Sequence, residues 1–195
     1  MLKIGLTGGM GSGKTTVSKI FSVLGIPVFY ADDAAKTIMN EDAGLKQSII
    51  NLFGQAAYMN NELNRKYIAG IAFNDKFKLE QLNALVHPVT IAAADEWMNA
   101  QTSSYVIKEA ALMFESPAAA SLDYVIGVYA PQHLRLQRVM NRDNTTREAV
   151  LARMHNQLDE TIKMKLCDFV IINDEHTAVL PQVLALHKKF LEMAG

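Results

Sequence analysis

A single cysteine, Cys167, is the whole thiol complement of this 195-residue chain, so no internal disulfide staples the fold. Its apolar neighbours Leu166 and Phe169 mark it as a buried thiol rather than a reactive one. Charge of one sign is lacking too: 19 Lys and Arg stand against 20 Asp and Glu, a formal charge of -1. No broad field therefore gathers nucleic acid or an anionic membrane, and any anion site must be local. No apolar run is long enough to cross a bilayer, and no charged leader or cleavage site precedes the first apolar strand. These absences lead us to expect a soluble, cytoplasmic protein, a monomer or weak homo-oligomer, with no nucleic-acid or membrane partner.

What is present is apolar: hydrophobic residues make up 50% of the chain, enough for one domain over 1–195 with a sizeable core. Leu2–Thr7 is a β-favouring run followed by glycines, and Val17, Ile20, Phe21 and Leu24 then recur at helical spacing, which gives strand, loop and helix. Further buried strands are expected at residues 27–30, 105–107, 124–129 and 169–172. Amphipathic stretches at 76–99, 131–142 and 177–191 predict helices, with Pro131 and Pro181 suited to first turns. Strands alternating with helices specify an α/β fold, a parallel five-stranded sheet flanked by helices.

Roughly seventy residues, 31–101, carry helical patterns without a convincing strand, far more than a connection needs. They predict a helical insertion, with Pro88 interrupting its longest helix. A second charge-rich segment, 141–165, is expected to form a mobile lid. Both are expected to overhang the carboxyl end of the sheet, where open α/β folds bind ligands.

Gly8-Gly9-Met10-Gly11-Ser12-Gly13-Lys14-Thr15 has a glycine, four residues, then Gly-Lys-Thr, between a predicted strand and a predicted helix. Glycines let successive N–H groups turn toward phosphate oxygens, and the helix start adds its positive end. Gly9, Met10, Gly11, Ser12, Gly13, Lys14, Thr15 and Thr16 are thus the expected ATP-binding run. Lys14 reaches the β and γ phosphates, and the Thr15 hydroxyl ligates Mg²⁺. A regulatory GTPase would also carry Asn-Lys-x-Asp; Asn173-Asp174 lacks the lysine. Asp32 directly follows the second strand. The first two strands are expected to finish side by side, so that this carboxylate meets the triphosphate across an acceptor oxygen. There it either takes the hydroxyl proton and aligns the oxygen or, with Asp33, caps the next helix.

From these residues onward the sequence resembles the dephospho-coenzyme A kinase family, nearly end to end. The likeness runs from Gly5 through Val17, then Phe53-Gly54, Leu63-Asn64-Arg65, Leu85-Val86-His87-Pro88, Ala111-Leu112-Met113-Phe114-Glu115, Arg138, Arg142-Asp143, Gln157, and Asp168 through Asn173. The family's Asp-Ala-Asp appears as Tyr30-Ala31-Asp32: the second acid is kept and the first is lost. Asn64 and Ala111 stand where the family has Asp and Pro.

The resemblance implies a P-loop kinase core with a helical substrate-binding insertion and a lid. It implies ATP with Mg²⁺ as donor and the ribose 3′-hydroxyl of dephospho-coenzyme A as acceptor, the last step of coenzyme A biosynthesis. Asp32, Lys14 and Arg142 are the implied catalytic residues, Arg142 also binding ATP from the lid with Arg138 one helical turn earlier as a second candidate. Thr7, Asp32, Arg65 and His87 are implied for the acceptor and Asn173 for adenine. Thr15 and Glu109 are implied for the metal. Each has a plainer alternative: a solvated arginine, a packed histidine, a charged helix face, a turn-capping asparagine, a strand-end glutamate. Two rivals follow from the motif alone, a nucleoside monophosphate kinase and a nucleotide-sensing module without turnover.

Overall fold

The computed structural model describes residues 1–72 and 75–195. In chain order it begins with β1 (Leu2–Thr7), α1 (Lys14–Val23), β2 (Val28–Tyr30), α2 (Ala31–Glu41) and α3 (Ala43–Phe53). Two short strands, β3 (Tyr58–Met59) and β4 (Glu62–Leu63), precede α4 (Arg65–Ala72) and α5 (Lys76–Asn99). Then come β5 (Tyr105–Glu109), β6 (Tyr124–Tyr129), α6 (Gln132–Asp143), α7 (Arg147–Met154), α8 (Glu160–Lys165), β7 (Phe169–Ile172) and α9 (Val179–Ala194). They form two compact units, Met1–Tyr30 with Trp97–Gly195, and Ala31–Glu96.

The first unit is built on a parallel sheet in the order β2-β5-β1-β6-β7. Its inner strands are largely buried on both faces, as in a sheet covered by helices. Ile4 and Leu6 of β1 and Ile107 of β5 share one core with Val17 and Phe21 of α1 and Val183 and Phe190 of α9. Ile4, Leu6, Phe21 and Phe190 are fully buried, each contributing about 1.5–3 kcal/mol relative to exposure. A smaller cluster joins Leu136 and Val139 of α6 to Val150 of α7, with Met10 packed against it. Phe29 of β2 meets Trp97 near the end of α5, ring centroids 5.5 Å apart.

The sheet order corrects one expectation. The first two strands do not finish side by side: β5 lies between β1 and β2, so their ends are separated by two strand spacings, roughly 9.5 Å. β2 is a three-residue edge strand, and nothing in its local pattern distinguishes a neighbour of β1 from a neighbour of β5.

The second unit packs around Leu45, Ile49 and Phe53, one face of α3, with Ala57, Ile68 and Val86. It contains a strand pair that the sequence reading did not anticipate. Asn60 and Asn61 take φ 52° and 68° and form the two-residue turn between β3 and β4, the left-handed geometry that favours such a hairpin. Asn64 accepts from Tyr67 N at 3.2 Å and so caps α4. Pro88 does not interrupt α5, which is continuous across it. Pro88 offers no N–H to the Ala84 carbonyl, so one ladder bond is lost there, but Val86 just before it is held in the core.

Candidate functional site

β1 ends at Thr7 and α1 starts at Lys14, so the glycine-rich loop connects a central strand directly to a helix start. Gly13 is the N-cap of α1 at φ 100°, where a side chain would be strained. The helix N–H groups at its first turn face the loop, as at any helix start. Lys14 Nζ donates to Gly8 O at 2.8 Å and lies across the loop. Ser12 is fully buried, and its Oγ is the buried side-chain polar atom without a partner among the described residues. Such an atom calls for a partner, and a loop of this shape has room for an anion's oxygen to be one.

Arg138, Val139 and Arg142 border a cavity of about 260 Å³ together with Gly11 and the 13–16 stretch. Arg142 is largely exposed there and pairs with Asp143, Nε to Oδ1 at 2.7 Å. Arg153 binds the other carboxylate oxygen at 2.9 Å. Hydrogen bonds from Arg142 and then Arg153 hold the Asp143 carboxyl at about 2. Arg138 donates to Asn173 O at 3.3 and 3.2 Å and to Glu175 at 3.2 Å.

Asn173 Nδ2 donates to Ser12 O at 2.8 Å. Through that bond its amide nitrogen props the phosphate loop. The fit is close enough that a Cβ on Gly13 would lie 2.2 Å from Asn173 Nδ2.

At the end of β5, Glu109 is buried, 6% exposed, and sits in register with Leu6 of β1 on one side and Tyr30 of β2 on the other. It is thus the acidic group between the strand feeding the phosphate loop and the strand feeding Asp32. Thr7 is fully buried, with Oγ1 3.5 Å from Ala111 O. Ala111 O also accepts from Lys163 Nζ at 3.0 Å, and that fully buried lysine pairs with Glu115 at 2.9 Å. Burial alone would push Glu115 up, but the Leu158 N–H and the Lys163 ammonium outweigh it and hold the carboxyl below its ordinary value. Cys167 Sγ donates to Lys163 O at 3.2 Å, and burial pushes its thiol up to about 12, so it carries no nucleophile.

In the second unit, Asp32 is exposed in the first turn of α2, inside the helix rather than at its cap, so the capping alternative is not realised. Asp33 pairs with Lys36. Arg65 opens α4 and is exposed; His87 is half-buried in α5, and burial lowers its pKa. No hydrogen bond or ion pair joins Asp32, Arg65 and His87 among the described residues.

Three residues around the loop had no assigned role in the sequence, Arg135, Glu160 and, though part of the family likeness, Gln157, and neither had Lys163 beside the turn after β5. Gly9 N donates to Glu160 Oε1 at 3.3 Å and Met10 N to Gln157 Oε1 at 3.1 Å. No local signal reveals partners so distant along the chain.

Comparison with known proteins points to one family. The dephospho-CoA kinase family profile matches residues 2–178. A dephospho-CoA kinase of Bacteroides fragilis is 33% identical over 186 residues, 95% of this chain and 91% of the relative. A Thermus thermophilus protein of solved structure has a TM-score of 0.83 at 32% identity, covering 100% of this chain and 98% of its own. The solved dephospho-CoA kinase of Campylobacter jejuni has a TM-score of 0.71 at 28% identity, covering 99% and 98%.

Proposed function

The chain belongs to the dephospho-CoA kinase family, and from that premise we propose how its residues divide the work. The reaction is the ATP-dependent phosphorylation of dephospho-coenzyme A in coenzyme A biosynthesis. ATP seats its phosphates on the loop from Gly9 to Thr16. Lys14 leaves Gly8 O for the β and γ phosphates, and Arg142 adds a rigid fork of donors from the rim of the same cavity. Asp32 accepts the proton of the ribose 3′-hydroxyl while that oxygen attacks phosphorus in line and ADP departs.

Thr15 and Glu109 offer the hard oxygen donors that Mg²⁺ takes. Mg²⁺ in phosphoryl transfer is commonly held chiefly by substrate phosphates and water with one or two protein oxygens. When bound, Mg²⁺ neutralises charge building on the phosphates. Arg65 and His87 serve the acceptor, and residues 141–165 serve as the lid that excludes water during transfer. Among the described residues no helix is long and apolar enough to cross a membrane.

One observation carries this reading: β5 sets the buried Glu109 in register with both the strand that feeds the phosphate loop and the strand that feeds Asp32. The test is Asp32→Asn in an ADP-release assay. Turnover with dephospho-coenzyme A falls about 10²- to 10⁴-fold while ATP affinity stays within twofold. Unchanged turnover removes Asp32 from the mechanism, and a preference for nucleoside monophosphates as acceptors removes the acceptor assignment.

A further inference from the structure

The phosphate loop is gripped from its outer side as well as built to grip phosphate. Two successive N–H groups, those of Gly9 and Met10, donate to Glu160 and Gln157, both from the segment around the start of α8. Between them the Met10 side chain packs against Leu136, Val139 and Val150 of α6 and α7. Glu160 is itself fixed: Arg135 Nη1 lies 3.4 Å from Glu160 Oε2, with the two side chains only 10% and 9% exposed. Arg135 is anchored in turn by Nε donating to Ala130 O at 3.1 Å. The fit is tight at the backbone. A Cβ on Gly9 would stand 2.2 Å from Glu160 Oε2 and 2.3 Å from Arg135 Nη1, so any larger residue there would push the ends of both side chains aside.

A carboxylate beside a phosphate-binding loop is electrostatically adverse to a bound triphosphate unless its charge is balanced. Arg135 supplies that balance at contact distance. We propose that Glu160, neutralised by Arg135, and Gln157 are positioning residues: they hold the Gly9 and Met10 amides outward and thereby fix the remaining loop in the shape that receives ATP. The proposal rests on the kinase reading above for the assay, but its claim concerns the nucleotide side alone.

The test is a KM split on the full chain. Glu160→Ala removes a hydrogen bond to a charged acceptor, an interaction whose loss corresponds to roughly a 10- to 100-fold change. It raises the ATP KM by about that factor while the dephospho-coenzyme A KM, measured at saturating ATP, stays within twofold. Glu160→Gln keeps an oxygen for Gly9 N–H and recovers most of the affinity; a cavity of about 210 Å³ beside the pair gives the amide room to settle. Arg135→Gln leaves the carboxylate unbalanced and weakens ATP, and adding Glu160→Gln to it restores binding, which a merely structural pair would not do. ADP affinity by calorimetry follows the same order in variants too slow to assay. An ATP KM within twofold of the native value in Glu160→Ala, equal rises in both KM values, or no restoration in the double variant would overturn the proposal. So would an Asp32→Asn enzyme that binds ATP normally while Glu160→Ala does too; loss of the Asp32 assignment alone leaves it standing.

Discussion

Replacing Lys163 by methionine probes the buried ion pair that ties α8 to the turn after β5. Lys163 is fully buried, and its ammonium serves both Glu115 Oε1 at 2.9 Å and Ala111 O at 3.0 Å. Glu115 keeps backbone partners, Leu158 N at 2.8 Å and its own N–H. Methionine fills the space but leaves a largely buried carboxylate without its cation and the Ala111 carbonyl with only the long Thr7 contact. Removing one member of such a pair costs about 3–5 kcal/mol. Unfolding entropy near 2.1 cal/mol/K per residue, applied to this chain, converts that cost to a Tm lowered by about 7–12 °C at pH 7. Acidification supplies a second readout. In the native protein the Glu115 pKa lies below its ordinary 4.5, so its contribution is present above that value and lost as pH falls through the folded one. In the variant burial dominates and pushes Glu115 above 4.5, so protonation relieves the defect. The Tm gap between the two proteins therefore closes as pH falls from 7 toward 4. Thermal melts of both across that range are the assay. A gap under 2 °C at pH 7, or one that widens with acid, refutes the reasoning.

Asn173→Ala removes the prop on Ser12 O, an ordinary hydrogen bond, so the ATP KM rises about two- to tenfold; an unchanged value in initial-rate kinetics rejects the prop. Arg142→Ala removes a charged donor from the nucleotide cavity, and kcat falls about 10²- to 10³-fold by the measure of a lost oxyanion donor. Arg142→Lys recovers only part of that loss, because the point charge lacks the planar fork, and full recovery would refute the role of the fork.

The contiguous parts of this molecule were legible in its sequence. The phosphate loop occupies eight successive residues between a strand and a helix, and β1, β6 and β7 are apolar runs bounded as expected. What local pattern does not encode is which strand lies beside which. The order β2-β5-β1 rests on packing summed over the whole sheet, so the adjacency of the first two strands was misjudged. Asn60-Asn61 is a turn signal, but the strands it joins have two residues each, too short for an alternating pattern to mark them. Pro88 shows the opposite case, a strong local rule overridden by a long helix anchored in a core. The outer grip on the loop was hidden for a third reason: Glu160 and Gln157 stand 151 and 147 residues from the amides they hold, and no periodicity spans such a gap.

The contact between Phe29 and Trp97 brings together the points where the chain leaves the first unit and returns to it. A segment whose two ends meet in one aromatic contact behaves as a cassette: recombination at that junction exchanges everything from Ala31 to Glu96 without recutting the sheet. Under the division of roles proposed above, most of the acceptor contacts would travel with that cassette, so a new alcohol substrate would be sought by transplanting one continuous piece of gene.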